Sequence, residues 1–183
     1  EQAWTWEHMA LCRARALYGS APARGELGAV IRGVLAAPRD VAKLKTDVLD
    51  MRAKMAGHKP AKGPLDVKLM RGGLVDLEFL VHFIQLGTGR GLDPDLGAAL
   101  QLLVADGLLP ASLVEAHDVM TRLLVAGRLF APDTQVPGKP SCMALERACG
   151  YGTWQDLEAA LALSRAHVAA SWRETFGETL EIL

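Results

Sequence analysis

From Leu74 to Leu86 the chain reads L-V-D-L-E-F-L-V-H-F-I-Q-L, and a helix built from this run would be apolar on nearly every side. A helix that is hydrophobic all round belongs in an interior, so other elements must be wrapped around it. Glu78 stands in the middle of that run. A carboxylate taken out of water must be paired, hydrogen-bonded or neutralised by a raised pKa, so Glu78 is expected to be buried and held by a specific partner. Lys68, Arg71, Gly72 and Gly73 stand immediately before the helix.

No stretch alternates with period two over a useful length, which argues against strands. Helix signals are plentiful. A first helix is expected from about Thr5 to Tyr18, stopped by Gly19, Ser20 and Pro22, and a weaker one from about Arg24 to Ala36, thinned by Gly25, Gly28 and Gly33. Asp40 is a good N-cap for a third, in which Val41, Leu44, Val48, Met51 and Met55 recur at three-four spacing before Gly57. Asp93-Pro94 opens another that runs to about Ala105, Ala111 to Phe130 form a longer one, and Ala131–Pro140, with three prolines and a glycine, is a loop. A short helix around Cys142–Ala148 and a long one from Thr153 to Thr175 complete the chain. The fold class is all-α, a bundle of about seven to eight helices, and residues 1–183 read as one helical domain.

At 183 residues and half hydrophobic, such a domain has enough chain for a substantial core. Twenty basic against twenty-one acidic side chains leave no basic excess, and Lys59, Lys62 and Lys68 are too sparse to follow a phosphate backbone, so no nucleic-acid partner is expected. No apolar run reaches the ~18 residues of a membrane span. The sequence carries no secretory signal, and its start at Glu1 reads as a piece of something longer. Three cysteines without metal spacing read as reduced, buried thiols.

Glu78, His82 and Gln85 return to one helical face at intervals of four and three. Such a stripe is either a seam facing a ligand or a buried cluster satisfied by arginines from a neighbouring helix. The second reading is preferred, because structural ion pairs also perturb carboxylates. Arg13 and Arg15, on the first helix, are the expected partners, since a guanidinium fork binds both oxygens of a carboxylate. A metal is not expected: di-iron bundles place Glu and His three apart on two helices, whereas here the interval is four and unrepeated. Asp76 faces nearly away from Glu78 and, with Gly73 as cap, is the third residue of the helix, where it meets the positive end of the dipole. Gly72-Gly73 permits either a tight turn or the approach of a phosphate to backbone amides. Lys68, in a loop outside the helical pattern, is the stronger candidate for ligand contact. Gly87-Thr88-Gly89-Arg90-Gly91 follows a helix and no strand, so it reads as a linker and not a dinucleotide loop.

The pattern D-x-K-x-x-x-G-G-x-x-D-x-E-F from Asp66 to Phe79, with Trp4-Thr5-Trp6-Glu7-His8 and Arg13-Ala14-Arg15 near the start, resembles glutamine synthetase adenylyltransferase. The resemblance runs from Ala3 to about Trp172, is strongest in Ala3–Arg15 and Asp66–Phe79, and is architectural beyond Gly87. It implies the helical domain that follows one of two nucleotidyltransferase domains. Val75-Asp76 and the Trp-Thr-Trp-Glu-His opening fit the C-terminal half, which attaches AMP. The family usually carries Gln where this chain has His82.

What the resemblance implies of the parent is transfer of AMP from ATP, with Mg²⁺, to a tyrosine of glutamine synthetase in the cytoplasm, reversal by phosphorolysis, and control by a PII signalling protein. Lys68, Arg71, Gly72, Gly73 and Asp76 would face the nucleotide or the catalytic domain. The metal-binding carboxylates of such a transferase come from a G-S motif and a D-x-D strand; Asp93-Pro94-Asp95 has the spacing, but it sits at a helix start without the G-S element. No catalytic residue, cofactor or metal is therefore expected in this chain, which should be inactive alone. Its expected role is to brace the nucleotidyltransferase domain and line its nucleotide and partner cleft. The alternatives are a docking module for PII or glutamine synthetase, or the helical domain of the phosphorolytic half.

Overall fold

The computed structural model describes residues 4–182; Ala3, where the resemblance begins, lies outside them. Eight α-helices and no strand occur among the described residues. They are α1 (Thr5–Leu11), α2 (Ala21–Leu35), α3 (Val41–His58), α4 (Leu74–Thr88), α5 (Leu96–Ala105), α6 (Ser112–Phe130), α7 (Lys139–Cys149) and α8 (Trp154–Phe176). The all-α expectation is met. The chain divides into two compact units, one running up to Ala53 and resuming from Glu78 to Leu109, the other comprising Lys54–Leu77 and the chain from Pro110 onward.

In the first unit the cores of the helices follow three-four spacing, with corrections of detail. α1 stops at Leu11 and not at Tyr18: Arg13 and Ala14 donate to Ala10 and Leu11, three residues back, and these tight bonds end the helix behind the buried Met9 and Cys12. Arg13 and Arg15 therefore stand beyond α1, on irregular chain. Ser20 caps α2, and Arg39 closes its other end by donating to the carbonyls of Val34, Leu35 and Ala37 at 2.7–2.8 Å. Asp40 caps α3 as expected, its Oδ1 accepting from the Lys43 amide at 3.0 Å. The buried stripe of α3 is Leu44, Val48 and Arg52, while Val41 is exposed and Met51 only half-buried. Successive steps of four pick out that stripe, and they carry an arginine inside. α5 opens at Leu96 and not at Asp93: Asp95 takes the cap by accepting from Ala98, and Asp93 is spent on the amide of Asp95.

In the second unit α6, α7 and α8 pack on one another. Leu113, Ala116, Met120 and Leu123 of α6, Leu145 and Cys149 of α7, and Leu157, Leu161, Val168, Trp172 and Phe176 of α8 are buried. Each large side chain so removed from water contributes roughly 1.5–3 kcal/mol. Trp172 and Phe176, one turn apart, bring their rings to 4.4 Å between centroids. Thr153 caps α8 through the amide of Asp156, and Gly150 and Gly177, both left-handed, end α7 and α8. This packing supports the loop that leads into α4.

Candidate functional site

The segment from Lys62 to Leu77 belongs wholly to the second unit. Asp66 organises its first half: its carboxylate accepts from the amides of Lys62 (3.1 Å) and Leu69 (3.2 Å), and its carbonyl from Leu69 and Met70, giving a single helix-like turn. An aspartate three residues before a free amide is a known turn-former, so this role was readable in the sequence and was missed. The amide of Leu65 donates to the carbonyl of Thr134, and Gln135 Nε2 donates to the carbonyl of Lys62 at 2.8 Å. Leu74 and Val75 then donate back to Val67 and Lys68, tying the turn onto the first turn of α4.

Gly72 and Gly73 are buried, which corrects the expectation of an outward patch at the two glycines. Gly72 has φ +73°, and a Cβ there would lie 2.7 Å from the backbone oxygen of Arg165 on α8. A Cβ on Gly73 would meet the Val67 oxygen at 2.5 Å. The close approach that the glycines allow is thus made by the chain's own backbone. Arg165 also donates through Nε to the carbonyl of Arg71 at 3.0 Å. Nothing in the pattern of α8 marks this residue, and sequence reasoning did not find it. Asp76, expected at the third position of α4, is there and is fully buried, accepting from the amide of Gly72 at 2.7 Å. Of the five residues assigned to face a ligand or domain, Lys68 is exposed and Arg71 half-buried; Gly72, Gly73 and Asp76 are interior.

The polar stripe of α4 lies in the first unit. Glu78 pairs with Arg13 at 2.5 Å, as expected, but its side chain keeps 21% of its exposure and that of Arg13 keeps 64%. The pair is thus mostly buried on the Glu78 side and open to water on the Arg13 side, where the chain beyond α1 carries the arginine on irregular backbone. Arg15 is exposed. His82 and Gln85 are buried. Burial, with the Arg13 charge second, pushes the His82 imidazole down to about 4, so it is neutral in the folded protein. Gln85 donates through Nε2 to the carbonyl of Gly91 at 2.7 Å, fastening the turn after α4.

No group of three or more His, Cys, Asp or Glu side chains gathers to hold a metal ion among the described residues. Asp93 and Asp95, which have D-x-D spacing, are committed to backbone amides. The cysteines are unpaired; Cys12 and Cys149 are buried, and burial pushes the Cys12 thiol up to about 12. A groove of about 810 Å³ in the first unit is lined by α1, α2 and the start of α3, including Thr5, His8, Val30, Val34 and Arg39. Among the described residues no helix is long and apolar enough to cross a membrane.

No protein-family model matches the chain. A protein of Mesorhizobium japonicum named as a bifunctional glutamine synthetase adenylyltransferase/adenylyl-removing enzyme is 39% identical over 75% of the chain and 15% of its own length. The enzyme of the same name from Agrobacterium fabrum is 46% identical over 57% of the chain and 11% of its own length. That of Rhodopseudomonas palustris strain BisB5 is 34% identical over 96% of the chain and 19% of its own length. The chain thus spans less than a fifth of the length of these relatives, while nearly all of it is matched by one of them. It belongs, as a portion of one, to the family of bifunctional glutamine synthetase adenylyltransferase/adenylyl-removing enzymes.

Proposed function

We propose that the chain is the helical domain that follows a nucleotidyltransferase domain in the C-terminal, AMP-attaching half of such an enzyme. Its work is to brace that domain and to line the nucleotide cleft, with Lys68 and Arg71 directed at the phosphates of ATP or at the catalytic domain. Mg²⁺ and the reacting groups are held by the catalytic domain. Of the chain's own D-x-D pair, Asp95 caps α5 and Asp93 accepts from the amide of Asp95. On this reading the chain is inactive by itself, and in the cytoplasm the parent acts on a tyrosine of glutamine synthetase under control of a PII protein.

The observation that carries this reading is the exposure of Lys68 on a loop that is otherwise bonded down, within the segment that bears the family pattern. A cation held on a rigid loop suits an anion better than a mobile one, since less ordering accompanies binding. The test is Lys68→Ala in the full-length enzyme, assayed by AMP incorporation into glutamine synthetase. The KM for ATP should rise about tenfold, the equivalent of one charge-assisted contact, with the melting temperature unchanged. An unchanged KM would exclude Lys68 from the nucleotide site.

A second reading, a docking module for glutamine synthetase or PII without a part in the nucleotide site, is favoured by α2. Leu27, Val30 and Val34 lie on one face of it at three-four spacing and are exposed, and the last two line the groove. Val30→Glu should then weaken co-purification with one of these partners while leaving the KM for ATP alone.

A further inference from the structure

The loop carrying Lys68 is fastened at two ends within the second unit. At its beginning, Thr134 and Gln135 hold Leu65 and Lys62. Thr134 has φ +62°, an uncommon conformation for a β-branched residue, which persists where the surroundings over-determine it. At the other end stands Arg165, whose side chain takes the Arg71 carbonyl and whose own backbone closes over Gly72.

We propose that Arg165 is a positioning residue for Lys68, fixing the joint from which the lysine is presented to the nucleotide. The inference rests on the nucleotide-facing reading of Lys68 given above. The path of the effect is short. The amide of Val75 donates to the carbonyl of Lys68, and that of Gly73 to Met70, so the orientation of residues 67–70 is tied to the joint at 71–73. That joint turns on a glycine in the left-handed region, which has little conformational restraint of its own. Arg165 supplies the restraint from outside: the Nε–H lies in the guanidinium plane, giving the bond to the Arg71 carbonyl a fixed direction. A lysine at 165 could still donate to that carbonyl, but from a rotating ammonium that sets no direction. Alanine would leave the carbonyl without this donor and Gly72 held only by its amide bond to Asp76 and by the α8 backbone beside it.

A merely structural arginine would change stability without a selective effect on ATP, so the experiment reads both. In the full-length enzyme, Lys68→Ala, Arg165→Lys, Arg165→Ala and the Lys68→Ala/Arg165→Ala double variant are compared for KM(ATP), kcat and hydrogen exchange in the segment 66–77. Arg165→Ala should speed exchange in that segment and raise KM(ATP) by roughly threefold to tenfold with a smaller change in kcat. The double variant should be no worse than Lys68→Ala alone, because both act through one contact. Arg165→Lys should recover part of the loss, and it carries the test by itself if Arg165→Ala does not fold. Multiplicative effects in the double variant, or an Arg165 variant with normal exchange in 66–77 and normal KM, would overturn the inference while leaving Lys68 in place. Lys68→Ala with an unchanged KM would instead remove the functional reading, and the role given to Arg165 with it.

Discussion

Asp76 and Glu78 stand two residues apart on the same helix, and their surroundings treat them in opposite ways. Asp76 has no exposed surface and accepts from a backbone amide of the turn that starts its helix. Glu78 remains partly exposed and pairs with an arginine that is largely in water. The sequence pattern suggests the reverse, since Glu78 sits deeper in the apolar run. The difference shows one carboxylate going inside where a backbone amide meets it at fixed geometry. A side chain that must be met by another long, flexible side chain settles where both can reach water. The region around Asp76 should therefore resist substitution, and the region around Glu78 should tolerate it.

The largest effect is expected at the joint beside Asp76. Gly72→Ala puts a methyl group 2.7 Å from the backbone oxygen of Arg165 and places an L-residue at φ +73°. The conformational cost of about 1–2 kcal/mol adds to an overpacking cost of about 1–3 kcal/mol, because a backbone atom cannot step aside. Urea unfolding should register a loss of about 3 kcal/mol. A variant as stable as the parent chain would mean that the joint yields easily and that the contrast between the two regions is false.

On the other side of the comparison, His82 should make itself felt through pH. It is neutral when folded, with its pKa lowered from 6.5 to about 4 by burial and then by Arg13. Above about pH 6.5 the ring is neutral in both states and contributes no slope. As pH falls below that, the unfolded chain takes up a proton that the folded one refuses until about pH 4, so stability falls across this window. The loss approaches about 3 kcal/mol, because each tenfold difference in proton affinity between the two states is worth roughly 1.4 kcal/mol. His82→Gln, which removes the titrating ring and keeps a polar side chain, should flatten the pH 4–6.5 limb of the stability curve. A limb unchanged in that variant would assign the dependence to other groups.

Asp76→Ala comes next, at about 2 kcal/mol, because the amide of Gly72 loses an acceptor in a dry setting. Asp76→Asn retains an oxygen in the same place and should recover most of the loss in the same denaturation experiment.

How far these features could be read in advance depends on the range of the interaction that makes them. Helix identity, the Asp40 and Thr153 caps and the interior placement of α4 depend on neighbours within a turn, and the sequence states them openly. The place of Asp76 at the third position of α4 was legible for the same reason, and Asp66 would have been by its turn spacing. Arg165 acts on a carbonyl 94 residues away, and no local pattern announces it. The buried Arg52 was legible only by following steps of four from Leu44, a count that the charge discouraged. The end of α1 at Leu11 was hidden because no glycine or proline marks it, the next of either being Gly19.

The smallest effect should be at Glu78. Were the carboxylate buried with its arginine, removing one partner would strand a charge in a medium of low polarity, at about 3–5 kcal/mol. With Arg13 nearly two-thirds exposed, water takes over what each loses, and long side chains also give up rotamer freedom to meet. Exposed pairs contribute about 0.2–1 kcal/mol, so Glu78→Ala and Arg13→Ala should each fall in that range and the double variant should be little worse than either. High salt should weaken the pair further, while leaving the bond from the Gly72 amide to Asp76 unaffected because it lies inside the protein. A loss of several kcal/mol on Glu78→Ala, insensitive to salt, would restore the buried pair and erase the contrast between the two carboxylates.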